Sequence, residues 1–323
     1  MYTKTLLFLW VVFANLTYSQ SSAVYEEMEK LFSSGKVIML GEDRHGVKAI
    51  DSFKVDLCKR IVQDSTAIIF ESGIAESFMA QLRNNTTGTI SLYPVWRNKY
   101  YEDFLGFIKQ RGMNWYGIDI QPNSYQFSGF IDSLSRKMSL EQRNINLDSA
   151  LVSFSMKKQK LSLSQKEIRK FDKKEYRDFY SRVLSNFERI SATEKLSREQ
   201  ALLFKQVILL RLMLVEEVVK PLGKTLVNFR DSCMYVNFRA LNSDILSKAP
   251  HFLVMSHNYH ISRKFGEYFP LGEYIYNSGQ KMVSVGIYMD GSSATKLLPK
   301  DKARKSIQKN SNCDFYISLN GFE

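Results

Sequence analysis

The sequence has few cysteines, and they form no pattern. Cys58, Cys233 and Cys313 are widely spaced, and none belongs to a Cys-x-x-Cys pair. An odd set of this kind argues against a disulfide framework and against a zinc knuckle. Because Cys58 and Cys233 lie in apolar segments, we expect their thiols to be buried.

Long uninterrupted apolar runs are also missing from the body of the chain. The segment 202–219 is strongly apolar, but Lys205, Arg211 and Glu216 interrupt it. A bilayer crossing needs about 20 consecutive apolar residues. The segment therefore predicts a buried helix, and we expect no membrane span.

Several catalytic signatures are absent. The chain has no Gly-x-Ser-x-Gly elbow and no His-Glu-x-x-His pair, which argues against the usual serine hydrolase and against a zincin. No Gly-x-Gly-x-x-Gly follows the first predicted strand, so dinucleotide binding is not supported. Gly223-Lys224-Thr225 imitates the end of a P-loop, but Val218 occupies the position of the required glycine.

Acidic residues are outnumbered by basic ones. The chain has 45 Lys and Arg against 33 Asp and Glu, a formal net charge of +12. Much of the excess lies between Lys157 and Arg177, along predicted helices and without an aromatic-basic stacking platform. We interpret it as a solvated face and expect no nucleic-acid partner.

Residues 1–19 have the pattern of a signal peptide. Lys4 supplies the positive start, Leu6 to Ala14 is an apolar core, and Thr17-Tyr18-Ser19 is a small-residue cleavage site weakened by the bulky Tyr18. We expect the protein to be exported, to a periplasm or beyond, and the mature chain to begin at residue 20.

Four short apolar runs predict buried strands. Runs of this length between amphipathic segments are typical of a parallel sheet that is covered on both faces. Helical spacing of apolar residues predicts helices between them, over 47–62, 75–83 and 101–110. The fold class that follows is α/β, with a mostly parallel central sheet flanked by helices. The four runs are Val37–Leu40, Ala67–Phe70, Trp115–Ile118 and Phe252–Met255.

The alternation of strand-like and helical segments stops between about 126 and 220, where no strand-like run occurs. We expect a helical insertion, or cap, within a single α/β domain over 20–323. Beyond it the pattern predicts a helix over Asn228–Leu241 and a strand over Met282–Ile287. Asp314–Leu319 is expected to be a final strand at an edge of the sheet.

Each of the four apolar runs is followed at once, or nearly so, by an acid or a histidine. The ends of parallel strands meet along one edge of the sheet, where ligands bind. The residues that follow the runs are Glu42, Glu71, Asp119 and His257. His45 lies three residues beyond Glu42, and His260 lies three residues beyond His257. This arrangement predicts an active site.

Each of these features has a structural alternative. The Glu42 to His45 segment could be a helix cap with an incidental histidine, and His257 with His260 could be purely structural. Arg230 and Asp231 fit either a salt-bridged helical pair or a site-facing role. Trp96 fits either a pocket wall or the core.

The order of these motifs resembles the erythromycin esterase-like family. The resemblance runs from about Gly35 to Ile287 and implies an α/β core with helical additions. It also implies hydrolysis of a macrolide lactone without a required metal. The motifs are Gly41-Glu42-x-x-His45-Gly46, Phe70-Glu71, Trp96, Gly117-x-Asp119, Arg230-Asp231-x-x-Met234-x-x-Asn237 and His257-Asn258-x-His260.

The resemblance also implies roles for single residues. His45 resembles the general base, with Glu42 beside it, while Asp43 and Arg44 depart from the small or uncharged residues usual between them. The remaining catalytic positions are Glu71, His257 and His260. Residues expected to bind substrate are Lys54, Trp96, Asp119, Arg230, Asp231 and Asn258.

We therefore expect a secreted hydrolase in which His45 activates water against the carbonyl of a small ester or lactone, without a cofactor. Two alternatives stay open. One is a hydrolase or peptidase that uses zinc or manganese, and the other is a non-catalytic protein that binds haem or another ligand. The alternative metal ligands are Glu42, His45, Glu71, His257 and His260.

Overall fold

The computed structural model of the chain describes residues 23–84, 91–122, 124–140, 146–160, 162–218, 220, 224–292, 296–299 and 312–320. The predicted signal peptide over 1–19 lies outside the described residues.

The fold class predicted from the sequence is confirmed. Seven strands form one mostly parallel sheet that is flanked by helices. The four apolar runs all lie within strands. The strands are β1 (Val37–Glu42), β2 (Thr66–Gly73), β3 (Trp115–Asp119), β4 (His251–His257), β5 (Met282–Ser292), β6 (Lys296–Pro299) and β7 (Phe315–Asn320).

Helices make up most of the rest of the described chain. Among the described residues, no helix is both long and apolar enough to cross a membrane. The helices are α1 (23–34), α2 (Lys48–Ile61), α3 (Ile74–Leu82), α4 (Lys99–Gln110), α5 (Gln126–Lys137), α6 (Leu147–Gln159), α7 (Gln165–Lys170), α8 (Lys173–Ser185), α9 (Phe187–Thr193), α10 (Arg198–Val218), α11 (Lys224–Ala240), α12 (Asn258–Ile261) and α13 (Leu271–Asn277).

The chain divides into two compact units. The first unit comprises Met1–Ile68, Asn98–Arg111 and Pro250–Glu323, and the second comprises Ile69–Arg97 and Gly112–Ala249. The single-domain expectation over 20–323 stays a prediction.

Strand β1 is the centre of the first unit. It pairs in parallel with β4 on one side and with β5 on the other. Every residue of β1 is buried, which explains the unbroken apolar run in the sequence. At the last position of the register, Glu42 lies opposite His257 of β4 and Ile287 of β5. The ends of β1 and β4 are thereby fixed at one level, beside the middle of β5.

The far side of the first unit corrects one prediction. Strand β7 pairs in parallel with β5 and antiparallel with β6, so β6 is the edge strand and β7 is internal. No sequence pattern predicts β6, because this strand is only four residues long and ends in Pro299. Short strands that carry proline are typical of sheet edges.

The second unit is dominated by helices. Over the described part of 124–218, helices α5 to α10 occur and no strand does. Aromatic rings fill its core: Phe78 lies 5.9 Å from Phe127 and 5.7 Å from Phe204, measured between ring centroids. Edge-to-face and tilted contacts of this kind add to the stability gained by burial.

A buried polar network accompanies these rings in the second unit. Asp148 on α6 accepts hydrogen bonds from the Tyr180 hydroxyl at 2.6 Å and from Nε of Arg211 at 3.0 Å. Ser128 donates to its second carboxylate oxygen at 2.6 Å. Because each polar group is satisfied, the network tolerates burial and links four helices.

Candidate active site

The candidate site begins where β1 ends. Glu42 is the last residue of β1, and its side chain is fully buried. Gly41 directly before it allows close approach by α12. A Cβ atom at Gly41 would lie 2.3 Å from Oδ1 of Asn258 and 2.9 Å from its Cα atom. Only glycine fits this position.

His45 lies in the turn that follows β1, three residues beyond Glu42. The next residue, Gly46, has a φ of +73°, a conformation that favours glycine. Nδ1 of His45 lies 2.9 Å from Oε1 of Glu42. The His45 side chain is 33% exposed, whereas that of Glu42 is fully buried. The pair connects an interior carboxylate to an imidazole that solvent reaches.

Lys54 on α2 is the ion-pair partner of Glu42. Its Nζ atom contacts Oε2 of Glu42 and lies 3.3 Å from the carbonyl oxygen of Ser256. Burial by itself would raise the pKa of Glu42. The charge of Lys54 and the hydrogen bonds from His45 and Lys54 outweigh it and hold that pKa below its usual range. Glu42 is therefore a carboxylate at neutral pH.

Lys54 is buried as well as paired. The side chain is 0% exposed, so it supports Glu42 from the interior, and its expected contact with a substrate stays a prediction. A buried ammonium needs such a partner, since desolvating an unpaired charge is costly.

His257 completes the cluster from β4. The centroid of its ring lies 4.9 Å from that of His45. Its Nδ1 atom accepts the backbone N–H of Tyr259 at 3.2 Å, so the ring proton resides on Nε2, which donates to the carbonyl oxygen of Asp43 at 3.2 Å. Both nitrogens thus bind the main chain. His257 holds the turn that carries His45, and the catalytic role expected from the sequence stays a prediction.

Asn258 is also bound to the ends of the strands. In the amide orientation that satisfies its neighbours, Nδ2 donates to the carbonyl oxygen of Gly41 at 3.0 Å. Its Oδ1 accepts from the Tyr288 hydroxyl at 3.1 Å and from the backbone N–H of Asp43 at 3.1 Å. Asn258 is 2% exposed. These contacts fix β1 and β5 to α12, and the substrate contact expected from the sequence stays a prediction.

His260 lies on α12, three residues beyond His257. Its side chain is buried, and its ring packs edge-on against Tyr259 with centroids 4.9 Å apart. The two histidines of the second motif therefore differ in environment, since His257 is part-buried and hydrogen bonded to the turn after β1.

A second cluster of predicted residues forms in the second unit around Arg230 of α11. Nη2 of Arg230 lies 2.7 Å from Oε1 of Glu71, and Nε lies 3.0 Å from Oδ2 of Asp119. The Tyr93 hydroxyl donates to the same Asp119 oxygen at 2.5 Å. Burial works against the charge of Arg230, but the two carboxylates raise its pKa well above the usual range. Arg230 thus forms ion pairs with two buried acids at once.

The arginine cluster bears on two of the alternatives. Arg230 pairs with acids from β2 and β3, and its site-facing role stays a prediction. Trp96 is fully buried and packs against Phe70 with ring centroids 5.7 Å apart, which is a core role. Asp231 is fully buried on the same helix as Arg230.

A small cavity adjoins the arginine cluster. It has a volume of about 30 Å³ and is lined in part by Gln121, Lys158, Glu217 and Arg230. That volume holds one or two water molecules. It is too small for an ester or lactone of ordinary size.

Helix α2 carries a second buried charge, Asp51, which none of the sequence motifs indicates. Asp51 and Lys54 lie three residues apart on the buried face of α2, between Ile50 and Leu57. Asp51 accepts a hydrogen bond from Nδ2 of Asn98 at 2.9 Å. The available signal was the position of two charges within an apolar helical stripe, because charged residues are rarely buried without partners.

The donor atoms of the cluster do not form a metal site. Among the described residues, no group of three or more His, Cys, Asp or Glu side chains is arranged to hold a metal ion. His45 uses Nδ1 toward Glu42, and His257 uses both nitrogens toward the main chain. In this arrangement three of the four ring nitrogens of the two histidines are directed at protein atoms, and the zinc or manganese alternative stays a prediction.

Comparison with known proteins gives relatives of low identity. No family model matches the chain. A curated protein of Bacillus subtilis, named "Putative hydrolase YbfO", is 22% identical over 267 residues, which cover 73% of this chain. The chain spans 58% of the length of that relative.

Solved structures share the fold. A protein from Bacillus cereus has a TM-score of 0.66 at 15% identity, covering 91% of this chain and 90% of the other. A succinoglycan biosynthesis protein has a TM-score of 0.60 at 12% identity, with the same coverage. An erythromycin esterase mutant in its open conformation has a TM-score of 0.55 at 15% identity, covering 91% of this chain and 78% of that one. The chain has the fold of these proteins.

Proposed function

We propose that this protein is a hydrolase in which His45 activates a water molecule against the carbonyl carbon of an ester or lactone. One observation carries the proposal. The imidazole of His45 is part-exposed and hydrogen bonds through Nδ1, at 2.9 Å, to a carboxylate that Lys54 keeps ionised in the interior. Imidazole and carboxylate in this relation form the base and orienting group of hydrolytic sites.

The reaction would follow from this hydrogen bond. With Nδ1–H donated to Glu42, Nε2 of His45 would take a proton as the water oxygen bonds to the carbonyl carbon. Glu42 would stabilise the imidazolium that results. When the tetrahedral intermediate collapses, the same proton would pass from Nε2 to the leaving alkoxide. The products are a carboxylic acid and an alcohol, or a hydroxy acid from a lactone.

The other histidines have separate parts in the proposal. His257 would position the turn that carries His45, because its two nitrogens hold main-chain groups. His260, which is buried on α12, would donate a hydrogen bond to the oxyanion that forms on the carbonyl oxygen. Removal of one such donor typically costs about 10²-fold or more in turnover.

The comparisons support a hydrolase without naming its substrate. One relative in sequence carries the name of a hydrolase, and one protein of similar fold is an erythromycin esterase. Fold similarity alone does not transfer a substrate. We propose a small-molecule ester or lactone and an exported protein, as the sequence predicts.

The test is a panel of chromogenic esters and lactones assayed with wild-type protein and with His45→Ala. We expect the variant to lose at least about 10²-fold in kcat on any substrate that the wild type turns over. His251→Gln is the matched control, since His251 lies at the opposite end of β4, where Nδ1 contacts the carbonyl oxygen of Gly35 at 3.0 Å.

Two outcomes would contradict the proposal. Full activity of His45→Ala on a verified substrate would remove His45 as the base. Loss of wild-type activity on treatment with a chelator, restored by zinc or manganese, would favour the metal-dependent alternative instead.

A further inference from the structure

The second unit contains a buried carboxylate with one unused oxygen. Glu217 lies near the end of α10, and its side chain is 3% exposed. Its Oε2 atom pairs with Nζ of Lys220 at 2.8 Å. Within the described part of the chain, the buried Oε1 atom has no hydrogen-bond partner. Leaving a buried acceptor unsatisfied is costly, so Oε1 indicates a donor that the protein does not supply.

A buried ammonium group lies beside this carboxylate. Lys158 on α6 is 5% exposed, and its Nζ atom donates to the main-chain carbonyl oxygen of Glu217 at 2.5 Å. An ammonium group has three N–H donors. Among the described residues, this carbonyl oxygen is the only hydrogen-bond acceptor of Nζ. Helices α6 and α10 therefore bring together a donor that needs an acceptor and an acceptor that needs a donor.

Both side chains line the small cavity next to the arginine cluster. The cavity has a volume of about 30 Å³, which is the space of one or two water molecules. Two residues that line so small a space are within hydrogen-bond reach of the same small group. Glu217 and Lys158 can thus contact one ligand group together.

The rest of the cavity wall is largely apolar. A water molecule in the interior needs two to four polar partners and gains nothing from apolar neighbours. An alkyl group gains free energy when it leaves water for such a wall. The cavity therefore suits a group that is polar at one end and apolar at the other. The apolar lining residues are Ile120, which follows β3, Leu214 and Val218 on α10, and Phe229 on α11.

The two polar residues select the chemistry of the polar end. An ammonium group could donate to Oε1 of Glu217, but it would be repelled by Lys158 and would offer it no acceptor. A carboxylate could accept from Lys158, but it would be repelled by Glu217 and would offer it no donor. A hydroxyl group carries no charge and both donates and accepts through one atom. It is the smallest organic group that satisfies both residues.

We propose that this cavity binds the hydroxyl end of a small aliphatic alcohol. The O–H group donates to Oε1 of Glu217, the hydroxyl oxygen accepts from Nζ of Lys158, and the carbon atoms pack against the apolar wall. The proposed hydrolytic chemistry uses neither Glu217 nor Lys158, so this inference goes beyond it and is tested without a substrate.

The test is an NMR titration of the full chain with ethanol, followed at the methyl groups of Leu214 and Val218. We expect shifts that saturate with a dissociation constant of about 1–50 mM, because a ligand of three heavy atoms is limited to millimolar affinity. Acetonitrile is the matched ligand control. It has the same number of heavy atoms and accepts a hydrogen bond but cannot donate one, so its shifts should not saturate in this range.

Glu217→Met is the variant that removes the unused acceptor. It keeps the main-chain carbonyl that Lys158 binds, and Lys220 is 56% exposed and does not need a partner. We expect the dissociation constant for ethanol to rise at least about 5-fold, as for loss of one hydrogen bond to a charged group. Glu216→Gln is the matched control, since Glu216 precedes Glu217 on α10 but is 38% exposed and pairs with Lys173. It should leave the constant unchanged.

Three outcomes would overturn the inference. Shifts that grow linearly with ethanol, without saturation, would mean that the cavity takes water only. Saturable shifts with the same constant in folded Glu217→Met would remove Glu217 as the acceptor. Equal saturation by acetonitrile would show that no donated hydrogen bond is involved, and this comparison uses the wild type, so it holds even where Glu217→Met fails to fold.

Discussion

Glu42 and Lys54 illustrate how strongly single residues of this site depend on each other. Both side chains are fully buried, and each neutralises the other. Glu42→Gln would leave the Lys54 ammonium in the interior without its counter-charge. We expect it to lower the free energy of unfolding by about 3–5 kcal/mol, the usual cost of breaking a buried pair. Urea unfolding at neutral pH measures this.

Simultaneous replacement of both partners provides the control. Glu42→Gln combined with Lys54→Met removes the buried charges together, and we expect it to recover most of the stability lost by Glu42→Gln alone. A double variant as unstable as the sum of the two single variants would show that the ion pair is not coupled in this way.

Asp51 predicts a pH dependence of stability. Its pKa is about 6 in the folded chain against an ordinary value of 3.8, so the folded state binds the proton more tightly. Its contribution to stability is complete below about pH 4 and is lost as pH rises through about 6. Asp51→Asn should therefore gain stability relative to wild type over this window, by up to about 3 kcal/mol. Urea midpoints at pH 4.5 and 7.5 measure the difference.

Glu42 acts with the opposite sign. Its pKa is lowered in the folded chain, so its contribution to stability is present above its unfolded value and is lost as pH falls through the folded one. The two buried carboxylates therefore act in different pH windows.

Asp103→Asn, at an exposed position of α4, is the matched control for Asp51→Asn. If Asp51→Asn and Asp103→Asn have the same pH profile, the buried charge at Asp51 has no effect on stability.

At the scale of elements, the approach of α12 to the end of β1 depends on the absence of a side chain. Gly41→Ala would place a Cβ atom 2.9 Å from the Cα atom of Asn258, a backbone position that cannot rotate away. We expect a loss of about 1–3 kcal/mol in unfolding free energy, as is usual for overpacking. Thermal unfolding monitored by circular dichroism measures it.

The matched control for that substitution lies on α4. A Cβ atom added at Gly106 meets nothing within 4 Å, and the position is in the interior of a helix. Gly106→Ala should therefore stabilise the protein by about 0.5–1 kcal/mol. A loss of stability at Gly106 equal to that at Gly41 would mean that packing against Asn258 is not the cause.

The elements also show which parts of the fold the sequence can predict. Strands β1 to β4 are predictable because a strand buried on both faces has an unbroken apolar run. Strand β6 is not predictable, because four residues that end in proline form no apolar run. Without β6, the predicted sheet has β7 as its edge strand. The prediction for helix α2 agrees with the structure within one residue at either end because its apolar stripe is regular.

The candidate site is predictable to a similar degree. The contact between Glu42 and His45 follows from their spacing across a turn, so sequence alone suggests it. The partners of Lys54 and Arg230 come from segments remote in sequence, and no local pattern indicates such pairs. The hydrogen bonds of His257 are likewise unpredictable, since they depend on the register between β1 and β4.

At the scale of the whole molecule, the predicted residues form two clusters with a common origin. In the first unit, Glu42 and His257 end neighbouring parallel strands at the same register position. In the second unit, Asp119 ends β3 and Glu71 lies near the end of β2. The rule that polar groups gather at the ends of parallel strands therefore holds within each unit.

The last prediction concerns export of the chain. We expect the chain, expressed with its own N-terminus in a bacterial host, to be exported and cut after Ser19, because residues 4–19 have a positive start, an apolar core and a small residue at the cut. Intact mass of the periplasmic protein should correspond to a chain that begins at Gln20. Leu9→Arg places a charge in the apolar core and should leave uncut protein in the cytoplasm. A periplasmic protein that still begins at Met1, or equal export of Leu9→Arg, would contradict the prediction.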